Sequence, residues 1–265
     1  MTTTGDVVYG RWAALETLRA GRRAVQGVLL AEGVEEKGII TDIMAAAQHS
    51  GLVPKKIQRR MMDDLAKGAN HQGVVLRVAG YPYVELADIL AFARERNERP
   101  FIVLLDLLQD PQNVGTVLRV ADSVGVHGVV MQDRRGVSVT PAVVNASSGA
   151  VEHLRIAQVT NLVQAMKTLK ENGVWLVGLD VGPNIVPIDR ADLNMPIGIV
   201  LGSEGEGMRR LVRDTCDLMV TLPMRGHVDS LNVSTVGAVA LYEAWKARGW
   251  EGWAHAGAGT EAPKA

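Results

Sequence analysis

The chain has 265 residues, 47% of them hydrophobic and 22% charged, with a formal net charge of −1; that is normal for a soluble globular protein with one large or two modest domains, and the charge alone does not advertise nucleic-acid binding. The one cysteine, Cys216, excludes an internal disulfide and reads as a small core residue rather than a nucleophile. The opening "MTTTGDVVYGRW" has no basic segment followed by an apolar one, and no apolar run is long enough to span a bilayer, so the expectation is a cytoplasmic protein without a signal peptide or membrane partner.

In chain order, "YGRWAALETLRAG" has helical apolar spacing and a glycine stop at Gly21. "GVLLA" reads as a buried strand, and "EKGIITDIMAAAQHSG" as a helix closed by Gly51. "VPKKI" is a short strand, "RRMMDDLAKG" a short helix and "GVVLRVAG" a closing strand. This compact α/β unit is expected over residues 5–80. It holds 11 Lys+Arg against 8 Asp+Glu, a balance of +3, whereas Arg99 to Arg248 holds 14 against 15, a balance of −1. The cluster Lys55, Lys56, Arg59 and Arg60 reads two ways, as a contact to phosphates or as a solvated charged face. Residues 81–98, with an amphipathic helix and a stop at Pro100, read as a linker. Residues 249–265, rich in Gly and Ala, read as a loose tail.

The main body, residues 99–248, begins at "FIVLLD" and continues with "GVVM", "IAQV", "VWLVGLD", "IGIVLG" and "DLMVTL". Continuous Val/Ile/Leu runs point to a mostly parallel, doubly wound sheet of roughly six strands covered on both faces. Ligands in such sheets bind beyond the carboxyl ends of the strands, which directs attention to the loops there.

Three of those loops stand out. After the first strand a helix is expected from near Asn113, with Val114, Val117, Leu118, Ala121 and Val124 on its buried face and Thr116, Arg119 and Ser123 on another. Arg119 is either half of a surface pair with Asp122 or a guanidinium aimed at a substrate oxygen. After "IGIVLG", the glycines Gly202, Gly205 and Gly207 imply tight turning and close approach to the main chain. The order is wrong for a dinucleotide or P-loop fingerprint, and Glu204 and Glu206 would repel a polyphosphate, so a neutral or cationic ligand fits better. After "DLMVTL", the polar cluster Asp229, Ser230, Asn232 and Ser234 enters an apolar helix. It reads as a helix cap, as a substrate grip, or as both. The small residues Ser234, Gly237, Ala238 and Ala240 suit either close packing within the chain or a subunit interface. Six scattered histidines and one cysteine give no metal-ligand spacing.

Together "DPQNVGTVLRVADSVGV", "IVLGSEGEGM" and "PMRGHVDSLNVS" resemble the three motifs of the SpoU-type 2′-O-ribose RNA methyltransferases of the trefoil-knot class, in order and with similar spacing, over Arg99 to Arg248. The front unit, with "YGRWAALETL" and "ANHQGVV", is similar to the RNA-binding domain that precedes the catalytic one in many members. Within the family the likeness is to bacterial 23S rRNA guanosine 2′-O-methyltransferases. The resemblance implies a deep C-terminal trefoil knot, S-adenosylmethionine as cofactor, and a homodimer joined through the knot domain. It implies cofactor contacts at Gly202, Leu222, Met224, Gly226 and Leu231. It also implies a catalytic group of Asn113, Arg119, Glu204, Ser230 and Asn232. In that group Arg119 orients the 2′-hydroxyl and stabilises the alkoxide, Asn113 anchors ribose or phosphate, and Glu204 braces Arg119 or Asn113. Ser230 and Asn232 position the nucleotide and the arginine. The alternatives are a tRNA ribose methyltransferase, a non-catalytic RNA-binding ribosome assembly factor, and a nucleotide-binding α/β protein using "GSEGEG" for phosphates.

Overall fold

The computed structural model describes residues 6–182, 185–205, 207–227 and 230–253. Glu206 and Asp229, and the tail from residue 254, lie outside the described residues.

The front unit runs β1 (Asp6–Tyr9), α1 (Arg11–Ala20), β2 (Val25–Ala31), α2 (Ile39–His49), β3 (Lys55–Ile57), α3 (Arg59–Leu65) and β4 (Val74–Val78). Its sheet has the order β1-β4-β2-β3, with β4 antiparallel to both β1 and β2 and β3 parallel to β2. Helix α1 ends as its sequence dictates. Gly21 is left-handed at φ 60°, and its N–H returns to Thr17 O. Strand β1, absent from the sequence reading, pairs with β4 along all four of its residues.

The second unit comprises α4 (Leu86–Glu95), β5 (Phe101–Leu105), α5 (Pro111–Ser123), β6 (Gly128–Gln132), α6 (Pro141–Ala146), β7 (Ile156–Val159), α7 (Leu162–Glu171), β8 (Trp175–Leu179), β9 (Val186–Pro187), β10 (Ile197–Leu201), α8 (Arg210–Thr215), β11 (Leu218–Thr221) and α9 (Val233–Ala247). Its sheet, among the described residues, is seven-stranded in the order β7-β6-β5-β10-β8-β11-β9, and every pairing is parallel. The seventh strand, β9, is only two residues long. Burial on both faces explains the unbroken apolar runs. Phe101, Val103 and Leu105 face a core shared with Val114, Val117 and Leu118 of α5 and Ala240 and Leu241 of α9. Ile102 and Leu104 face the opposite core, with Ile89 of α4, Met166 of α7 and Val212 of α8.

Residues 81–98 carry the amphipathic helix expected there, α4, and the segment packs on the second unit. Val84 bridges Ala157 in parallel, and the Ile89 side chain fills the place where a Cβ on Gly128 would stand, 2.5 Å away. The small residues of α9 point inward. A Cβ on Gly237 would already lie 2.9 Å from Leu201, and Ala240 and Ala244 are buried, so they serve packing within the chain. The outward stripe is Thr235, Val239 and Tyr242.

The two units share one apolar core, in which Val8, Leu15, Leu30 and Ile43 are continuous with the α5 side of the large sheet. Polar contacts cross the same boundary. Arg23 and Glu152 form a buried, doubly hydrogen-bonded ion pair, with side chains 2% and 1% exposed. Tyr81 donates its hydroxyl to Leu154 O at 2.6 Å, and Asn145 Nδ2 donates to Tyr9 O at 3.0 Å. At the far end, Arg248 donates to the carbonyls of Arg99, Pro100 and Met195 at 2.7–2.9 Å, tying the end of α9 to the start of β5. Burial pulls its guanidinium down to about 10.

Candidate active site

A cleft of about 450 Å³ opens beyond the carboxyl ends of β8, β10 and β11, where parallel-sheet proteins place ligands. Leu179, Leu201, Val220, Leu222 and Val236 supply apolar wall, and Asp180, Ser203, Glu204, Thr221, Ser230 and Asn232 supply polar lining. Of the residues expected to hold a cofactor, Gly202, Leu222, Met224 and Leu231 line this cleft. Gly226 is not among the residues that line it.

The glycine loop is built for closure on itself. Ser203 N–H donates to Gly207 O, and Gly207 N–H to Ser203 O, each at 3.0 Å. Gly205 and Gly207 have φ of 82° and 68°, the left-handed region that glycine occupies without strain. A Cβ on Gly202 would fall 2.4 Å from Gly207 C and from Met208 N. Gly202 is therefore required by its own loop, not only by a visitor to the cleft. The loop's far end is fixed by Asp106, which is fully buried at the end of β5. Asp106 accepts from the backbone N–H and the Nε of Arg209, both at 2.8 Å, and Arg209 Nη2 donates on to Gln132 Oε1 at 2.7 Å. The sequence reading treated Asp106 only as a strand end; its place immediately after an all-apolar strand was the available signal. Asp180, after β8, pairs with Arg213 at 2.8 Å and was likewise unassigned.

Helix α5 begins at Pro111, two residues earlier than expected. Asp110 caps it, accepting from Asn113 N–H at 3.0 Å. Asn113 Nδ2 donates to Glu204 Oε1, so the loop and the helix start are joined. Glu204 thus braces Asn113 and not Arg119. Asn232 accepts from Ser234 N–H at 2.8 Å and Ser234 Oγ at 2.6 Å, and its carboxamide oxygen serves the cap of α9. Ser230 and Asn232 line this first cleft and make no hydrogen bond to Arg119.

Arg119 opens on a different cavity, of about 630 Å³, between the two units. Its lining is Trp12 and Glu16 of α1, Arg119, Asp122 and Ser123 of α5, and Ser147, Ser148, Ala150 and His153 beyond α6. Of the two readings of Arg119, the surface pair with Asp122 is not formed. Arg119 Nη1 instead donates to Ser148 Oγ at 3.2 Å. The sequence-predicted residues are thus split, with Arg119 in one cleft and Glu204, Ser230 and Asn232 in the other.

Lys55 and Lys56 on β3 and Arg59 and Arg60 at the start of α3 are all exposed. Lys56 is already paired with Glu36 at 2.6 Å. Cys216 is half-buried against the core, its thiol pushed up to about 12 by burial and then by Asp217. No group of His, Cys, Asp and Glu among the described residues could hold a metal ion, and no helix among them is long and apolar enough to cross a membrane.

The profile of the SpoU rRNA Methylase family matches residues 100–242, and that of the RNA 2′-O ribose methyltransferase substrate-binding domain matches residues 7–84. Sequence and fold together define an RNA 2′-O-ribose methyltransferase. The chain belongs to the SpoU rRNA Methylase family. It is 41% identical over 248 residues to YacO of Bacillus subtilis, named for the TrmH family of tRNA/rRNA methyltransferases, covering 94% of this chain and 98% of YacO. A Staphylococcus saprophyticus relative named for the same family is 37% identical, covering 93% and 97%. Among solved structures, the SpoU methyltransferase AviRb of Streptomyces viridochromogenes, determined with AdoMet, superposes at a TM-score of 0.75 with 23% identity, covering 91% of this chain and 90% of AviRb. An RNA 2′-O ribose methyltransferase superposes at 0.72 with 25% identity, covering 91% and 88%.

Proposed function

We propose that the protein methylates a ribose 2′-hydroxyl of structured RNA with S-adenosylmethionine, and that its target is a guanosine of 23S rRNA. One observation carries the cofactor assignment. The cleft beyond β8, β10 and β11 combines apolar wall, a self-closed glycine loop and two carboxylates, Asp180 and Glu204. That donor set repels polyphosphates and suits a cation with an aromatic ring. Its volume of about 450 Å³ suits a small cofactor. Gly202, Leu222, Met224 and Leu231 would hold the cofactor there. When bound, S-adenosylmethionine supplies an electrophilic methyl group on a cationic sulfur.

The chain's own residues act on the acceptor. A 2′-hydroxyl must lose its proton as it attacks, and preorganised donors stabilise the charge that develops. Arg119 carries only N–H donors and is held by Ser148, so it orients the hydroxyl and stabilises the alkoxide. Asn113, fixed by Glu204 and by the Asp110 cap, anchors ribose or phosphate. Ser230 positions the nucleotide, and Asn232 holds the start of α9 beside it. Lys55, Lys56, Arg59 and Arg60 grip RNA phosphates from the domain at 5–80. Residues 81–98 join it to the catalytic domain at 99–248, and 249–265 form the tail.

The separation of Arg119 from the cofactor cleft argues for a homodimer through a knotted catalytic domain, in which two copies complete each site. The outward Val239 and Tyr242 of α9 support that contact. The return of α9 onto β10 and α5, fastened by Arg248, supports the knot. The setting is the cytoplasm. Incubating the protein with labelled S-adenosylmethionine and rRNA or tRNA, then mapping 2′-O-methyl positions by mass spectrometry, tests the whole reading. Transfer only to tRNA would replace the proposed substrate, and no transfer to either would overturn it.

A further inference from the structure

We propose that Trp12 is the platform on which the target base stacks, and that the cleft between the two units receives that base beside Arg119. The inference rests on the methyltransferase reading above and goes beyond it to a residue outside the catalytic motifs.

The indole of Trp12 is 58% exposed, in the first turn of α1. A single exposed ring is ordinary on a protein surface; this one matters for the cleft that it lines. Among the described residues no ring or cation packs on this one. It lines the same cleft as Arg119, yet it comes from the other unit. Its position is fixed from behind. Gly149, at φ 86°, lies so close to α1 that a Cβ would stand 2.7 Å from Glu16 Cβ and 3.1 Å from Ala13 Cα. The Glu16–His153 contact at 2.8 Å closes the same boundary. The wall bearing Trp12 therefore does not swing relative to the wall bearing Arg119.

The chemistry of the cleft selects a base over a phosphate. Glu16 is occupied by Arg19 and His153, at 2.9 and 2.8 Å. The carboxylate of Asp122, half-buried on the wall that carries Arg119, accepts no hydrogen bond among the described residues. A carboxylate there repels phosphate and accepts from the N–H groups on a base edge. The cleft, at about 630 Å³, is roomy enough for a nucleotide. Sequence-specific contacts to RNA commonly take unstacked bases against aromatic side chains. A base stacked on Trp12 would bring its ribose toward Arg119, the group proposed to act on the 2′-hydroxyl.

The test uses the full chain and an RNA that the wild type methylates. Trp12→Ala should lower kcat/KM for RNA by tenfold or more, with affinity for S-adenosylmethionine unchanged by calorimetry. Trp12→Phe should restore most of the loss and Trp12→Leu should not, because stacking needs a ring. RNA binding should also quench the emission of Trp12, read as the difference between wild type and Trp12→Phe. If the wild type is active, but Trp12→Ala stays within twofold of it or Leu rescues as well as Phe, the stacking inference is overturned and the methyltransferase reading stands. Absent quenching with an active wild type has the same meaning. If the wild type neither binds nor methylates RNA, both fall together.

Discussion

Arg119 meets Ser148 because Gly115, one turn earlier on α5, lets two helices touch at the backbone. A Cβ on Gly115 would lie 2.4 Å from Ala146 Cβ and 2.8 Å from Ser147 N. That contact carries Ser148 to Arg119 Nη1. Arg119→Ala should abolish methyl transfer while leaving cofactor affinity nearly intact. Gly115→Ala should cost about 1–3 kcal/mol in stability by overpacking. It should also reduce turnover more than Ser148→Ala does, because it displaces the whole of α6. Chemical denaturation and turnover on RNA, measured on the three variants, check the order; a Gly115→Ala enzyme as active as wild type would disconnect the helix contact from the site.

Gly202→Ala should remove cofactor binding by opening the loop. The added carbon collides with Gly207 and Met208 rather than projecting freely into the cleft. Affinity for S-adenosylmethionine should fall about 100-fold or more, a loss of roughly 2.7 kcal/mol, with helical circular dichroism retained. Unchanged affinity would place the pocket elsewhere.

Breaking the buried pair between the units should be costly in one direction only. Arg23→Met leaves Glu152 as an uncompensated buried carboxylate and should destabilise by about 3–5 kcal/mol. Arg23→Met with Glu152→Leu should recover most of that loss, because an apolar pair needs no hydration. Urea unfolding of the two variants against wild type measures it; a double variant as weak as the single one would show that the pair's geometry matters more than its charge.

Acid should weaken the fold through His127. Phe101 N–H donates to His127 Nδ1 at 3.0 Å, so Nε2 carries the proton and donates to Glu98 Oε2 at 2.9 Å. Burial holds the imidazole below its ordinary 6.5, with Glu98 opposing. The unfolded chain then takes up a proton that the folded chain resists, so stability falls as pH drops below about 6.5. Melting temperatures between pH 7.5 and 5.5 should show a shallower pH slope for His127→Gln than for wild type.

The basic cluster should set RNA affinity without touching chemistry. Replacing Lys55, Lys56, Arg59 and Arg60 with Gln should weaken binding and reduce the salt slope by about 2–3, slightly less than four charges allow, because Lys56 is already engaged by Glu36. Superimposable salt titrations would reduce the cluster to a solvated face.

Much of the fold was legible because strand and helix periodicities are local. Phe101 to Leu105 could only be a buried strand, and Gly21 could only end a helix turning left. The short strands were not. Asp6 to Tyr9 is too brief for alternation to show, and Val186–Pro187 is paired only through its partner β11. The site was half legible. The resemblance to a known family groups Asn113 with Arg119, but nothing local joins Arg119 to Ser148, 29 residues on, or Asp106 to Arg209, 103 residues on. Such contacts exist only after the sheet has brought distant strands together. Gly202 was read as room for a ligand because its true neighbours, Gly207 and Met208, become neighbours only when the loop closes.

The cleft beyond β8, β10 and β11 draws its lining from Leu179 to Val236, and Arg248 fastens the last helix across 149 residues to Arg99. A ribosome making this protein therefore emits the front unit and half of the large sheet before any part of that cleft. Distant contacts close slowly, and no nascent chain short of Arg248 carries the clamp. The front unit can close during synthesis, whereas the cleft has no complete lining before Val236 and no clamp before Arg248.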